Sequence, residues 1–215
     1  MHNLAVIIPA LNESLSIKKV VTDAAVYGQP FVIDDGSKDD TGLIAKINGA
    51  FVIVHPFNLG YDAALESGLI EAQKQGYLYA ITLDADGQLD PSLLATFVSH
   101  LRDGIPLVVG MRDKLQRPAE HIFAWLSQKI WNLADPLCGI KGYRLECLYS
   151  LNKSRSLKSV GTELAIRLIR SGHPFIQIPV KTRPRVGSSR FGDGWKINLV
   201  ILGAMIRVFF LAKKL

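Results

Sequence analysis

Short apolar runs alternate with longer stretches of helical period along the first half of the chain. Leu4 to Ile8 is β-rich, and the same texture returns at Phe31-Val32-Ile33, Phe51 to Val54, Tyr79 to Leu83 and Leu107-Val108-Val109. Between the first two runs, Ser14 to Val26 has the period of a helix, with Leu15, Val20, Val21, Ala24 and Ala25 on or near one face. A short helix is predicted over Thr41 to Ile47. A longer one spans Tyr61 to Gln75, with Leu65, Leu69 and Ala72 in register and Gly76 closing it. Pro91 to Arg102 reads as a fourth helix with proline in its first turn. Continuous apolar strands separated by helices predict an α/β fold with a mostly parallel central sheet covered by helices on both faces.

From residue 111 the rhythm changes. Arg112 to Glu120 is a polar connection, Ile122 to Ala134 a helix and Pro136 to Gly142 a turn-rich loop. Glu163 to Ser171 is a further helix ended by Gly172, and Phe175 to Val180 a late strand. Lys181 to Gly194 is basic and glycine-rich. Trp195 to Leu215 is apolar but interrupted by Arg207 and finished by Lys213-Lys214. No repeat or low-complexity tract is present.

At 215 residues the chain suits one α/β domain of ordinary size. A formal net charge of +6 favours anionic partners without choosing among phosphates, nucleic acid and an acidic membrane surface. Two cysteines, Cys138 and Cys147, rule out a disulfide scaffold and cannot by themselves complete a structural zinc site. The opening residues run directly into a strand without the basic region and apolar core of a signal peptide, so a cytoplasmic location is expected. No uninterrupted apolar run reaches the roughly 18–20 residues of a membrane span. His55, His100, His121 and His173 are scattered without ligand spacing, and no chemistry is assigned to them.

Ligands of open parallel sheets sit beyond the carboxyl ends of the strands. After the first strand comes Pro9-Ala10-Leu11-Asn12-Glu13, after the second Asp34-Asp35-Gly36-Ser37-Lys38-Asp39-Asp40-Thr41, after the fourth Asp84-Ala85-Asp86-Gly87-Gln88, and after the fifth Gly110-Met111-Arg112. Carboxylates therefore recur at one sheet edge, where packing has no need of them. Asp84 and Asp86, two apart on an extended strand end, can both reach one hard divalent cation, and Gln88 adds an oxygen of the kind Mg²⁺ or Mn²⁺ accepts beside phosphates. Ser37 or Asp39 can cap the helix from Thr41 and Asp90 the helix at Pro91, but such capping does not explain Asp84. The paired acids Asp34 and Asp35 can accept hydrogen bonds from a base N–H or from ribose hydroxyls.

Residues 6–13, residues 32–41, Asn58-Leu59-Gly60 and Leu83 to Gln88 together resemble the signatures of family 2 glycosyltransferases of the GT-A fold, the Rossmann-like fold of nucleotide-diphospho-sugar transferases. Within that family the chain is most similar to the dolichyl- or polyprenyl-phosphate sugar transferases. Gly110-Met111-Arg112 and Asp135-Pro136-Leu137-Cys138-Gly139 match that group's Gly-Ser-Arg and Asp-Pro-x-Ser-Gly segments, with Cys138 standing for the usual serine. The resemblance implies a nucleoside pocket lined by Pro9, Ala10, Asn12, Glu13 and Gly60, with Asp35 and Asp34 on the base. It implies Asp84, Ala85, Asp86 and Gln88 at the metal and donor diphosphate. Arg112 would meet an acceptor or donor phosphate, with Asp135 and Glu163 at the acceptor side. Arg183 to Arg190 resembles the flexible Arg-x-Gly-x-Ser-Lys segment of these transferases, so Arg185 and Arg190 would grip a phosphate. The Gln-x-x-Arg-Trp motif of processive polysaccharide synthases is missing, which argues against a pore-coupled synthase.

The expectation is an inverting, Mg²⁺- or Mn²⁺-dependent glycosyltransferase that takes a nucleoside-diphosphate sugar. Residues 1–194 would form the GT-A domain (1–110 the nucleotide-sugar half, 111–194 the acceptor half), and 195–215 an amphipathic helix at the membrane interface. The acceptor would be a lipid phosphate at the cytoplasmic membrane face. Its phosphate is already ionised at neutral pH and requires no strong base. Transfer to a sugar hydroxyl of a capsule or lipopolysaccharide precursor is the alternative, and it needs Glu163 or Asp135 as base. A nucleotidyltransferase would favour a glycine-rich, basic loop after the first strand. A nucleic-acid-binding module would explain the charge but not the strand-end carboxylates, which repel phosphates. An oligomer is compatible with the sequence.

Overall fold

The computed structural model describes residues 3–149, 160–183 and 196–211. β1 (Leu4–Ala10), α1 (Ile17–Ala25), β2 (Gln29–Asp34), α2 (Thr41–Ile47), β3 (Phe51–Val54), α3 (Tyr61–Lys74), β4 (Tyr79–Thr82), α4 (Leu93–Arg102) and β5 (Leu107–Arg112) alternate regularly. There follow α5 (Pro118–Trp131), β6 (Lys141–Arg144), α6 (Leu145–Tyr149), α7 (Val160–Arg170), β7 (Phe175–Val180) and α8 (Lys196–Leu211). The strands form one sheet in the order β3-β2-β1-β4-β6-β5-β7. β6 runs antiparallel to both its neighbours, and every other pairing is parallel.

β1 is buried along its whole length, as a central parallel strand must be. Its alternate side chains feed two apolar layers. Leu4, Val6 and Ile8 pack with Ile17, Val20 and Val21 of α1 and with Leu94, Phe97 and Leu101 of α4. Ala5 and Ile7 pack on the other face with Leu65 and Leu69 of α3 and Leu164 and Leu168 of α7. A smaller cluster, Ala119 and Phe123 of α5 with Ile201 of α8, docks the last helix.

The structure differs from the sequence expectation in several elements: α6 is not among the expected elements, α7 begins at Val160 rather than Glu163, and two further differences have a clear cause. The segment expected as a loop over Pro136 to Gly142 ends in a strand, because β4 and β5 both present open edges and β6 completes both ladders. Thr82 and Val109 each pair with Lys141, and Ile81 and Val108 with Gly142. Tertiary pairing overrides the poor strand propensity of lysine and glycine here. α5 begins at Pro118 rather than Ile122, with proline in its first turn. The polar connection before it is correspondingly shorter.

Phe97 is fully buried and touches the space above Gly142 of β6. Phe97→Ala should therefore lower unfolding free energy by about 3–5 kcal/mol, read from the urea midpoint at unchanged m-value. A loss under about 1 kcal/mol would mean that α4 does not brace the inserted strand.

Candidate active site

The loops after β1 and β2 are laced together at the carboxyl edge of the sheet. Asn12, held at φ 52°, donates its amide to Ser37 Oγ (2.9 Å) and accepts the Lys38 amide on its side-chain oxygen (2.8 Å). The Glu13 amide donates to Thr41 Oγ1 (2.8 Å), while its buried carboxylate accepts from Ser16 Oγ (3.1 Å) at the entry to α1. Pro9 and Ala10 lie within β1, and the Ala10 carbonyl accepts the Asp35 amide. Asp34 accepts the Ser37 amide at 2.8 Å and faces Gly42 at the start of α2.

Asp35 is turned inward and 4% exposed. Its Oδ1 accepts from the Leu59 amide (2.9 Å) and lies 2.7 Å from His55 Nδ1, and its Oδ2 accepts from the Gly60 amide (2.9 Å). Gly36 packs flat on the chain at Phe57 and Asn58; a Cβ there would lie 2.7 Å from the Phe57 carbonyl carbon, and its φ of +77° also requires glycine. The loops after β2 and β3 thus form one wall.

Beyond β4, Asp84 accepts from the Tyr61 hydroxyl at 3.0 Å, and its other oxygen lies against Gly139. A Cβ at Gly139 would come within 1.9 Å of that oxygen, so the close approach excludes any side chain. Ala85 is buried beneath. Asp86, 6% exposed, accepts the Gln88 amide at 3.0 Å. Gln88 reaches the Arg183 carbonyl with its side-chain amide (3.3 Å) and accepts the Arg183 amide on its own carbonyl (2.9 Å). The Arg183 guanidinium pairs with Asp90. Burial first, and then the Asp84 charge, push the Tyr61 hydroxyl well above its usual range.

Lys141 is buried beside this pair, with its ammonium donating to the Cys138 carbonyl. Burial lowers its pKa, against the opposing charges of Asp135 and Asp84. Burial also pushes the Cys138 thiol up to about 12, so it is a packed group rather than a nucleophile.

At the end of β5, Arg112 grips Asp135 through Nε (2.7 Å) and Nη2 (3.0 Å), and its backbone amide adds a third bond at 3.2 Å. Glu120 lies 3.3 Å from Arg112 and 3.1 Å from Arg117. Burial alone would lower the Arg112 pKa, but the bonds and charge of Asp135 and the charge of Glu120 outweigh it and hold the pKa above the usual value. Glu163 is buried on α7 and pairs with Arg167 at 2.6 Å. The neighbouring Thr162 hydroxyl donates to the Pro136 carbonyl, tying α7 to the Asp135 segment.

The expected residues therefore fall into three connected groups: Asn12, Glu13, Asp34, Asp35 and Gly60; Asp84, Asp86 and Gln88; Arg112 and Asp135. The described partner of Glu163 is Arg167, outside these groups. Arg185 and Arg190 lie outside the described residues. Four participants escape motif reading: His55, Tyr61, Glu120 and Lys141. His55 and Tyr61 have a signal in position rather than spacing, since they flank the turn after the third strand at the same sheet edge. Glu120 and Lys141 have none.

A glycosyl transferase family 2 model matches residues 5–133. That span is more than half of the chain, and the protein belongs to this family. It is similar to an uncharacterised glycosyltransferase of Mycobacterium tuberculosis, 27% identical over 214 residues that cover 95% of this chain and 94% of the relative. It is also 27% identical over 201 residues to the dolichyl-phosphate hexose transferase of Haloferax volcanii, across 87% of this chain and 86% of the relative. Among solved structures, glucosyl-3-phosphoglycerate synthase of Mycobacterium tuberculosis in complex with Mn²⁺, uridine diphosphate and phosphoglyceric acid gives a TM-score of 0.72 at 24% identity, over 95% of this chain and 74% of that one. The fold is the GT-A fold, and the protein is a glycosyltransferase.

Asp135→Ala should leave Arg112 with Glu120 as its remaining described acid. The expected loss of stability is toward the lower end of the about 3–5 kcal/mol that breaking a buried pair costs, measured by urea unfolding. A shift below about 0.5 kcal/mol would make the pair no stronger than one at the surface.

Proposed function

We propose that the protein transfers a sugar from a nucleoside-diphosphate sugar to a polyprenyl phosphate, with Mg²⁺ or Mn²⁺ held by Asp84 and Asp86. The observation that carries this reading is that both carboxylates stand just beyond β4, with Asp84 held by the hydroxyl of Tyr61, the residue that follows the 58–60 turn. The donor set fits such a metal. Among the described residues no group of three or more His, Cys, Asp or Glu could hold a metal by itself. Two hard carboxylates complete a Mg²⁺ or Mn²⁺ shell only with substrate phosphate oxygens and water. When bound, the metal neutralises the departing nucleoside diphosphate.

The rest of the work falls to this chain's own side chains. Tyr61 and the Gly139 backbone hold Asp84 in one orientation, and the Gln88 amide does the same for Asp86. Asp35 fixes the 58–60 turn against the nucleoside. The commitments of Asp135 and Glu163 favour a phosphate acceptor over a sugar hydroxyl. A hydroxyl needs a base, yet Asp135 accepts two bonds from Arg112 and Glu163 is paired through Oε1 with Arg167. A phosphate acceptor arrives ionised. The likeness to a protein named as a dolichyl-phosphate hexose transferase supports the same acceptor class, and the Mn²⁺ and uridine diphosphate of the similar synthase support the donor side. Arg185 and Arg190 complete a basic mouth for the acceptor in this reading.

No helix among the described residues is long and apolar enough to cross a membrane. Peripheral contact with the cytoplasmic membrane face is therefore part of the proposal. On α8, Leu199, Val200 and Ile206 are exposed while Ile201 and Val208 are buried. On α5, Ile122 and Trp125 are exposed, with the Lys129 ammonium 4.3 Å from the Trp125 ring centre. Neither helix exposes an acid, which suits an anionic lipid surface. Phe209 of α8 packs on Trp131 at 4.7 Å, so removing α8 would uncover apolar surface; point changes are the cleaner test.

A thermal-shift screen of UDP-, GDP- and CDP-sugars with and without Mn²⁺ should identify one donor whose stabilisation needs metal. Asp86→Ala should abolish turnover and keep the fold, whereas full activity in excess EDTA would sink the metal assignment. Trp125→Ser with Leu199→Ser should release the protein from anionic vesicles and spare donor binding. Unchanged co-sedimentation and unchanged transfer to a polyprenyl phosphate would exclude this face from membrane contact.

A further inference from the structure

His55 stands directly after β3, 7% exposed, with its backbone amide bonded to the Asp34 carbonyl. Both ring nitrogens are engaged: Nδ1 lies 2.7 Å from Asp35 Oδ1 and Nε2 lies 3.0 Å from Ser67 Oγ on α3. Asp35 as a carboxylate can only accept, so Nδ1 carries the proton toward it. In the neutral imidazole Nε2 accepts from the Ser67 hydroxyl, which joins α3 through the ring to Asp35. The same carboxylate receives the amides of Leu59 and Gly60. Gly60 is also held by the Asn58 side chain at 2.9 Å, and Gly36 leaves no gap between this turn and the loop after β2. Without the imidazole, Asp35 would keep its amide partners but lose the side-chain contact that fixes its plane from the direction of α3.

We infer that His55 is a positioning residue for the donor nucleoside: through Asp35 it fixes the 58–60 turn that forms one wall of the nucleoside pocket. The inference deepens the nucleotide-sugar reading above and rests on it for the identity of the ligand, but not for the hold itself. His55 touches no substrate in this scheme and is not a catalytic residue. Its contribution should appear in donor affinity and in the order of the turn, with the rate of the bound complex nearly unchanged.

Two conservative variants separate positioning from bulk packing. An asparagine amide nitrogen sits near the place of Nδ1, so His55→Asn can still donate to Asp35. A glutamine amide sits near Nε2, so His55→Gln keeps Ser67 and loses Asp35. Asparagine is the smaller of the two, so a better result for His55→Asn runs against a packing effect. Two readouts are needed: amide hydrogen exchange at Leu59 and Gly60 in the free protein, and calorimetric Kd for UDP, GDP and CDP with Mn²⁺. His55→Gln should speed exchange at both amides and weaken the nucleotide that binds by about tenfold, the loss of one charge-assisted hydrogen bond. His55→Asn should restore both toward the wild type. KM for the donor should follow Kd while kcat stays within about threefold. Equal behaviour of the two variants in exchange would overturn the hold through Asp35. Faster exchange with unchanged nucleotide Kd would overturn the positioning role. A wild-type protein that binds none of the three nucleotides would defeat the donor reading, and with it the role assigned to His55, whereas the exchange comparison would still report on the hold.

Discussion

β6 enters the sheet antiparallel between β4 and β5, and its register governs which residues of the two halves can meet. Lys141 is level with Thr82 on one side and Val109 on the other. The Thr82 hydroxyl accepts the Lys141 amide at 3.0 Å and donates to the Gly139 carbonyl at 2.6 Å. The Lys141 ammonium takes the Cys138 carbonyl. The 138–141 segment is thereby drawn straight along the end of β4, and Gly139 lies flat on Asp84. A one-residue slip would put Cys138 or Ile140 where only glycine fits, and would move Asp135 away from Arg112.

That register also explains the dense burial of charge at this edge. Arg112, Glu120, Asp135 and Lys141 are desolvated, and ion pairs of this kind contribute little net stability compared with apolar packing. What they supply is a fixed arrangement. Arg112 reaches Asp135 with two parallel hydrogen bonds, a geometry with little freedom to rotate. A glycosyltransferase site benefits from side chains that are already immobile before the ligand arrives.

The first half of the chain is readable from the sequence because its signals are local. Each strand is an uninterrupted apolar run, and the residues that follow it necessarily lie at one edge, so Asn12, Asp35, Asp84 and Asp86 could be grouped without coordinates. The second half is less readable because its arrangement is set by long-range pairing. Nothing in Pro136 to Arg144 announces a strand, since lysine and two glycines interrupt it, and only the open edges of β4 and β5 make it one. The roles of the buried groups were also hidden. Asp35 reads as a ligand for a base, yet its described partners are His55, Leu59 and Gly60. Arg112 reads as a phosphate grip, yet it is clasped by Asp135 and Glu120. His55 has no ligand spacing to mark it in the sequence, and its contacts come from what the end of β3 faces.

If two protein carboxylates and a nucleoside diphosphate share one cation, then metal and nucleotide must bind cooperatively, each tightening the other by the same factor. Calorimetric titration of Mn²⁺ into the protein, alone and saturated with the nucleoside diphosphate that it prefers, measures that factor directly. A shared site predicts that the nucleotide tightens Mn²⁺ by about tenfold or more, with the gain lost in Asp84→Asn. The same Mn²⁺ affinity with and without nucleotide would contradict a metal–diphosphate site at Asp84 and Asp86.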